Sequence, residues 1–313
     1  MEKVSLITTV LNENTTIDSF LDSIAAQTHK PDEIIIVDAG STDGTIEKIK
    51  SYMKSMARLN IRLFYETGNI AHGRNTAIKN ARFDRIAVSD VGCILHKNWL
   101  KHLTEAFDKH NADVVAGYYT PSGSTFFQKC LATYTSVMPN KLNKATFLPS
   151  SRSIAFTKTA WKQVGGYPEN LNTAEDLVFA RDLKQASLRF VPAFEALVFW
   201  PQRETWKEAF QQFFRYAQGD GKALYFRPQT PLLGARVFLA LTLIGYALSV
   251  HSIIGIALFL FYAFFYWLYA VLKNYHYVPQ WRALLYLPSL QVISDAAVSL
   301  GMISGFLKRY AKV

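Results

Sequence analysis

The segment Ile34 to Thr45, IIIVDAGSTDGT, constrains the fold more than any other, because four β-branched residues break abruptly into a loop of aspartates, glycines and hydroxyls. A buried parallel strand reads as such a run, and ligands of open α/β sheets collect where those strands end. Asp38 stands at that end, where an ordinary turn has equal use for an aspartate. Asp43-Gly44-Thr45 then opens the helical stretch IEKIKSYMKSM, with Asp43 or Thr45 placed to cap it.

The same pattern comes first in VSLITTVLNENTT, where Val4 to Leu11 suits a central strand and Asn12-Glu13-Asn14-Thr15 ends it. Ile17, Phe20, Leu21 and Ile24 follow at helical spacing. Two β-α units in succession argue for a parallel sheet. Neither GxxxxGK[ST] nor a GxGxxG after the first strand is present, so an ATPase or a dinucleotide oxidoreductase would lack its phosphate loop.

Three further segments carry charge at places a parallel sheet would expose. Gly73-Arg74-Asn75 follows a loop kept open by Gly68 and Gly73, so Arg74 faces either a ligand or, on the helix NTAIKNA, solvent. IAVSDVGCIL reads as another buried strand ending in a carboxylate, Asp90. Glu175-Asp176 lies between the turn-rich GGYPENLNT and a helical stretch whose Leu177, Ala180 and Leu183 share a face. Carboxylates at that helix N-terminus serve its dipole, or one of them serves as a general base.

Taken in order, TTVLNEN, IIIVDAGSTDGT, GNIAHGRNTAIKNA, IAVSDVGCILHKNWL, VGGYPENLNTAEDLVFARDLKQ and QQFFRYAQGDG resemble the membrane-associated family 2 glycosyltransferases of the GT-A fold. The resemblance runs from about Val4 to Lys222. It implies a Rossmann-like, mostly parallel α/β sheet of the nucleotide-diphospho-sugar transferase kind. It also implies a donor site formed by Thr9, Val10, Asn12, Glu13, Asp38, Gly73, Arg74, Ser89 and Asp90, with Asp38 toward the base or ribose. Asp176 is then the catalytic base and Glu175 its orienting partner. Arg152, Trp161, Gln212, Arg215 and Tyr216 are expected on the acceptor or diphosphate side, the last three resembling a Gln-x-x-Arg-Trp motif with Tyr for Trp. Arg152 reads equally as the partner of a carboxylate within the fold.

The family's metal-binding Asp-x-Asp departs here to Asp90-Val91-Gly92. A divalent cation, Mg²⁺ or Mn²⁺, is still expected on Asp90 and the donor diphosphate, one protein oxygen short. His96 is a substitute ligand or an ordinary loop histidine, and Cys93 reads as a small buried hydrophobe.

The chain has 313 residues, half of them hydrophobic, and a formal charge of +10. From Arg227 onward seven Lys/Arg face one acid, Asp295, a membrane-flank pattern unaccompanied by any nucleic-acid motif. Val237 to Leu272 contains no Lys, Arg, Asp or Glu and is too long for one span, which predicts a hairpin breaking near Ser249 to Ser252. Tyr262, Tyr266, Trp267 and Tyr269 resemble an interfacial belt. A third apolar stretch, about 283–307, holds Pro288 and Asp295; crossing would put Lys308, Arg309 and Lys312 outside, so an in-plane or re-entrant helix is expected. Two cysteines, Cys93 and Cys130, form no disulfide framework and suit a reducing compartment.

The expected organisation is a cytosolic GT-A domain over 1–226, including an amphipathic interfacial helix at about 203–218, and a membrane region over 227–313. Trp206, Phe210, Phe213, Phe214 and Ala217 supply the apolar face of that helix, which either meets headgroups or packs in a core. No leader-like segment opens the chain, so the first domain is expected to stay with cytosolic nucleotide-sugars at a membrane of the prokaryotic cytoplasmic type. The function expected is inverting sugar transfer from a nucleotide-diphosphate sugar to a lipid-linked or polyprenyl-phosphate acceptor, with no nucleic-acid partner. A nucleotidyltransferase, or a non-catalytic membrane scaffold, is the alternative.

Overall fold

The computed structural model describes residues 2–250 and 253–311. The chain divides into two compact units, one holding the residues up to Ser122 with Val137–Pro201, the other holding Gly123–Ser136 and the residues from Gln202 onward.

In the first unit, strands and helices alternate as the apolar runs require: β1 (Val4–Val10), α1 (Ile17–Ala25), β2 (Glu33–Asp38), α2 (Thr45–Ser55), β3 (Ile61–Tyr65), α3 (Ile70–Asn80), β4 (Arg85–Val88), β5 (Ile94–Leu95), α4 (Trp99–His110) and β6 (Val114–Ser122). After α5 (Phe126–Thr135), which belongs to the second unit, come β7 (Ile154–Thr157), α6 (Lys158–Gln163), α7 (Glu175–Gln185) and β8 (Phe190–Pro201).

The strands form a mixed, mostly parallel sheet in the order β3-β2-β1-β4-β7-β6-β8-β5. β3, β2, β1 and β4 run parallel, β7 is antiparallel to β4 and β6, and β6 pairs parallel with β8. Every residue of β2 is buried, the mark of a strand covered on both faces. Alternation sends Ile34 and Ile36 into one core with Phe20 and Trp99, while Ile35 and Val37 enter the other with Ile78 and Phe179. The register aligns Val10 with Asp38, so the loops after β1 and β2 leave the sheet side by side. The expected α/β sheet is present, and its parallel half opens a crevice at these strand ends.

The second unit contains α5, α8 (Trp206–Ala223), α9 (Thr230–Val250), α10 (Ile253–Asn274) and α11 (Ala283–Tyr310). Among the described residues three helices, α9 to α11, are long and apolar enough to cross a membrane. The expected break near Ser249 to Ser252 falls in part on residues 251 and 252, which lie outside the described residues, as does Lys312. α9 and α10 run antiparallel: Tyr262 donates to the Arg236 carbonyl at 3.0 Å, and a Cβ on Gly255 would come within 2.9 Å of the Ala247 Cα. Pro288 lacks the N–H that would satisfy the Leu284 carbonyl, and the indole Nε1 of Trp267 donates to it instead at 2.9 Å. On the apolar face of α8 Phe213 and Ala217 are buried, Phe213 sharing a core with Phe127 of α5 and Leu290 of α11, Phe210 and Phe214 are partly buried, and Trp206 is exposed. Gly301 and Gly305 let α11 approach so closely that a Cβ on either would overlap the carbonyl oxygens of Phe214 and Gln218.

Candidate active site

The site builds up at the C-terminal ends of β1, β2 and β4. Asn12 turns out of β1 in the left-handed conformation, φ 56°, tolerable for Asn. Its Oδ1 accepts from Thr42 N–H at 2.9 Å and its N–H donates to Ser41 Oγ at 2.9 Å, which ties the first two loops together. Asp38 is buried and accepts from the N–H groups of Gly40 and Ser41 at 2.9 and 3.0 Å, so it does form the turn its position suggested. Thr9 is half-buried, Val10 is buried, and Ser89 is fully buried with a hydroxyl that meets no hydrogen-bond partner among the described residues.

Helix α3 starts at Ile70, capped by the Asn69 side chain, so Gly73 and Arg74 lie inside the helix rather than in the loop before it. Gly73 serves close approach, since a Cβ there would come within 2.8 Å of Thr9 Cγ2. The helix thus lies low over β1 and turns Arg74 inward, where it is 1% exposed. Its guanidinium donates to Asp90 at 2.6 Å and to Glu175 at 2.6 Å, with the Tyr167 ring 5.3 Å away. One buried cation therefore joins the end of β4 to the start of α7. Burial alone would lower the pKa of this guanidinium, but Asp90 and Glu175 outweigh it and hold Arg74 above its ordinary value. Burial, then repulsion from Asp176, pushes the Glu175 carboxyl up to about 7 against the opposing attraction of Arg74.

Asp176 follows at the second position of α7 and is half-buried, accepting from Leu177 N–H at 2.8 Å and Ser151 N–H at 3.4 Å. The residue before the pair, Ala174, takes φ 65°, a conformation unusual for alanine and of the kind that clusters at functional sites. Ala174 supplies no side-chain cap, so the carboxylates at the first two helical positions meet the orphan N–H groups and dipole instead.

Asn75, which no sequence motif singles out, secures the loop leading to α7. Its amide donates to Tyr167 O and Glu169 Oε1, both at 2.8 Å, and accepts from Trp161 Nε1 at 3.0 Å and Tyr167 N–H at 2.9 Å. All four bonding positions of the side chain are filled. Trp161 is thereby an anchor of this loop. Gly166, at φ +82°, is required there because a Cβ would come within 2.9 Å of both Asn75 Oδ1 and Trp161 Nε1. The adjacency of Asn75 to Gly73-Arg74 was the available signal.

Arg152 lies over the Trp200 ring at 4.0 Å and near Tyr119 at 5.1 Å. Cys93 is buried, which pushes its thiol up to about 12. Gln212, Arg215 and Tyr216 belong to α8 of the second unit. Gln212 is buried, its Nε2 is 3.5 Å from the Tyr216 hydroxyl, and its Oε1 meets no partner among the described residues.

A divalent ion would need several oxygen ligands at this end of the crevice. Among the described residues no three His, Cys, Asp or Glu side chains converge to hold one, and His96 instead accepts from Asn98 N–H at 3.4 Å. At Gly92, however, the position a Cβ would occupy is 4.0 Å from Glu13 Oε2. A carboxylate from the loop after β1 thus stands beside the place where the second acid is missing. Asp90, already paired with Arg74, and Glu13 are thus the two carboxylates near Gly92.

A mixed α/β sheet whose parallel strands end in a carboxylate-lined crevice, with an acidic pair at a helix N-terminus across it, defines a transferase of the GT-A class. Residues 5–160 match Glycosyl transferase family 2 and residues 90–287 match Glycosyl transferase family group 2. The chain belongs to the family 2 glycosyltransferases. It is similar to "Glycosyltransferase AglE" of Haloferax volcanii, 24% identical with 69% of this chain and 72% of that protein covered. It is also similar to "O-antigen chain rhamnosyltransferase RfbN" of Salmonella typhimurium, 26% identical with 68% and 70% covered. The fold matches the mannosyltransferase PcManGT of Pyrobaculum calidifontis, solved with GDP-Man and Mn²⁺, at TM-score 0.63 and 20% identity over 94% of this chain and 87% of that one. S. aureus TarS in complex with UDP-GlcNAc matches at TM-score 0.53 and 18% identity over 99% and 93%.

Proposed function

We propose that the protein transfers a sugar, with inversion, from a nucleotide-diphosphate sugar to a lipid-linked or polyprenyl-phosphate acceptor at the cytosolic face of a membrane. The observation that carries the catalytic part is the Arg74 bridge, which ties Asp90 to Glu175 at 2.6 Å each and leaves Asp176 half-buried beside them. Glu175 is occupied and buried, so Asp176 is the carboxylate left to take a proton from the acceptor hydroxyl. Arg74 acts through the two carboxylates as a positioning residue. Asp38, Asn12 and Ser89 flank the donor side of the crevice. The structural neighbours solved with GDP-Man and UDP-GlcNAc support a nucleotide-sugar donor.

A divalent ion held by Asp90 and Glu13 would neutralise charge on the departing diphosphate. The three apolar helices, and the relative named as an O-antigen chain rhamnosyltransferase, support a membrane-bound acceptor. The test is turnover of the purified full chain with nucleotide-sugars and polyprenyl phosphate. Release of nucleoside diphosphate with glycolipid formation is the expected result; release of pyrophosphate would mean nucleotidyl transfer instead.

A further inference from the structure

The second unit contains a polar cavity of about 180 Å³ whose lining includes Arg227, Arg236 and Lys273 against two carboxylates, Asp220 and Asp295. A second, apolar cavity of about 790 Å³ lies between α9, α10 and α11, lined by residues such as Leu241, Phe259 and Ala296. Arg236 and Asp295 line both, so this ion pair forms a common wall between a charged chamber and a hydrocarbon-like groove.

The hydrogen bonding of that wall is lopsided. Asp295 accepts from Arg236 Nε at 3.1 Å, Arg236 Nη2 at 3.0 Å, the Tyr266 hydroxyl at 3.0 Å and Gln291 Nε2 at 2.7 Å. A carboxylate has about four acceptor sites, so Asp295 is saturated. Arg236 Nη1 remains buried with no partner among the described residues. On helices that are apolar enough to lie in a membrane, Arg236 and Lys273 thus face one carboxylate, Asp295, while Arg227 pairs with Asp220 at 2.6 Å. An ionisable group so placed marks a ligand or a pathway more often than a structural need.

We infer that this pair of cavities binds a phosphate-headed lipid, the phosphate in the chamber of Arg227, Arg236 and Lys273 and the hydrocarbon chain in the groove walled by Ala296. The inference rests on the proposed lipid acceptor and names where that acceptor is held. Charge complementarity selects the head, and the adjoining apolar groove selects a lipid over a free phosphate. The phosphate oxygens take the Arg236 Nη1 donor that Asp295 cannot accept.

The experiment measures binding of undecaprenyl monophosphate, of the matching alcohol and of inorganic phosphate to the full chain in detergent. Lys273→Met alters the head chamber, and Ala296→Trp fills the groove from an exposed position on α11. Wild type is expected to prefer the lipid phosphate over both the alcohol and inorganic phosphate. Lys273→Met is expected to weaken lipid binding by at least about tenfold, the scale of one lost hydrogen bond to a charged group, and Ala296→Trp to weaken it by occluding the groove. Ala296→Trp should leave any inorganic phosphate binding unchanged, which separates tail from head. Equal binding of alcohol and phosphate, or wild-type affinity in both variants, overturns the site. A lipid phosphate that binds in this manner yet receives no sugar supports the site and removes the acceptor reading alone.

Discussion

Arg74 and Glu175, 101 positions apart in the sequence, are joined by a 2.6 Å ion pair whose side chains are only 2% and 7% exposed. The same guanidinium holds Asp90 at 2.6 Å, so a single residue of α3 links the carboxylate just after β4 to the pair that starts α7.

Removing that cation strands two carboxylates, one of them deeply buried. Arg74→Met is therefore expected to cost about 3–5 kcal/mol of stability, the usual penalty for breaking a buried pair from one side. Denaturant unfolding reads this directly. Wild-type stability in the variant would show that the bridge contributes nothing to the fold.

Asp176→Asn keeps the shape and much of the favourable placement at the helix start but cannot accept a proton. Transfer to a hydroxyl acceptor should fall roughly 10²- to 10⁴-fold with near-normal melting and intact nucleotide binding. An ionised polyprenyl phosphate needs no base, so much of the rate should survive on that acceptor. Full activity on the hydroxyl acceptor, with stability lowered by about 1 kcal/mol, would make Asp176 only a cap.

Asp90→Ala is expected to abolish metal-dependent nucleotide binding. Glu13→Gln should weaken it, since Glu13 Oε2 lies 4.0 Å from where the missing acid would begin at Gly92. Titration of Mn²⁺ in the presence of a nucleoside diphosphate measures both. An unchanged metal response in Asp90→Ala would sink the ion assignment.

Burial, then repulsion from Asp176, pushes the Glu175 carboxyl up from 4.5 to about 7 in the folded chain. The folded state then binds more protons than the unfolded state between these values. Stability from this group is present below pH 4.5 and is lost as the pH rises toward 7. Glu175→Gln should flatten that part of the stability profile measured by thermal unfolding. An identical pH dependence in the variant would assign the effect elsewhere.

Gly305→Val places a branched side chain against the Gln218 carbonyl of α8. Overpacking costs about 1–3 kcal/mol, more where backbone cannot move, so the melting temperature should drop. A variant melting like wild type would show that α8 and α11 do not approach so closely.

Several features were legible in the chain itself. IIIVD reads as a doubly covered strand because its β-branched run leaves no polar face, and each of its residues is indeed buried. The uncharged run after Arg236 reads as helix long and apolar enough to cross a membrane, because apolarity over such a length is a local property. Asp90 and Glu175-Asp176 stand out in the chain because the first follows a buried strand and the pair opens a helix.

The tertiary structure alone decided what those residues meet. Hydrophobic periodicity says that Arg74 lies on a helix, but the close approach at Gly73 makes it a buried bridge instead of a surface cation. That Glu13 stands beside Gly92, that Asn75 fills all four bonding positions with the loop of Tyr167, and that α5 shares a core with α8 and α11 are matters of chain return over long separations. Local composition reports how buried a residue wants to be. Which partner buries it is set by loop closure and packing between segments that the sequence keeps far apart.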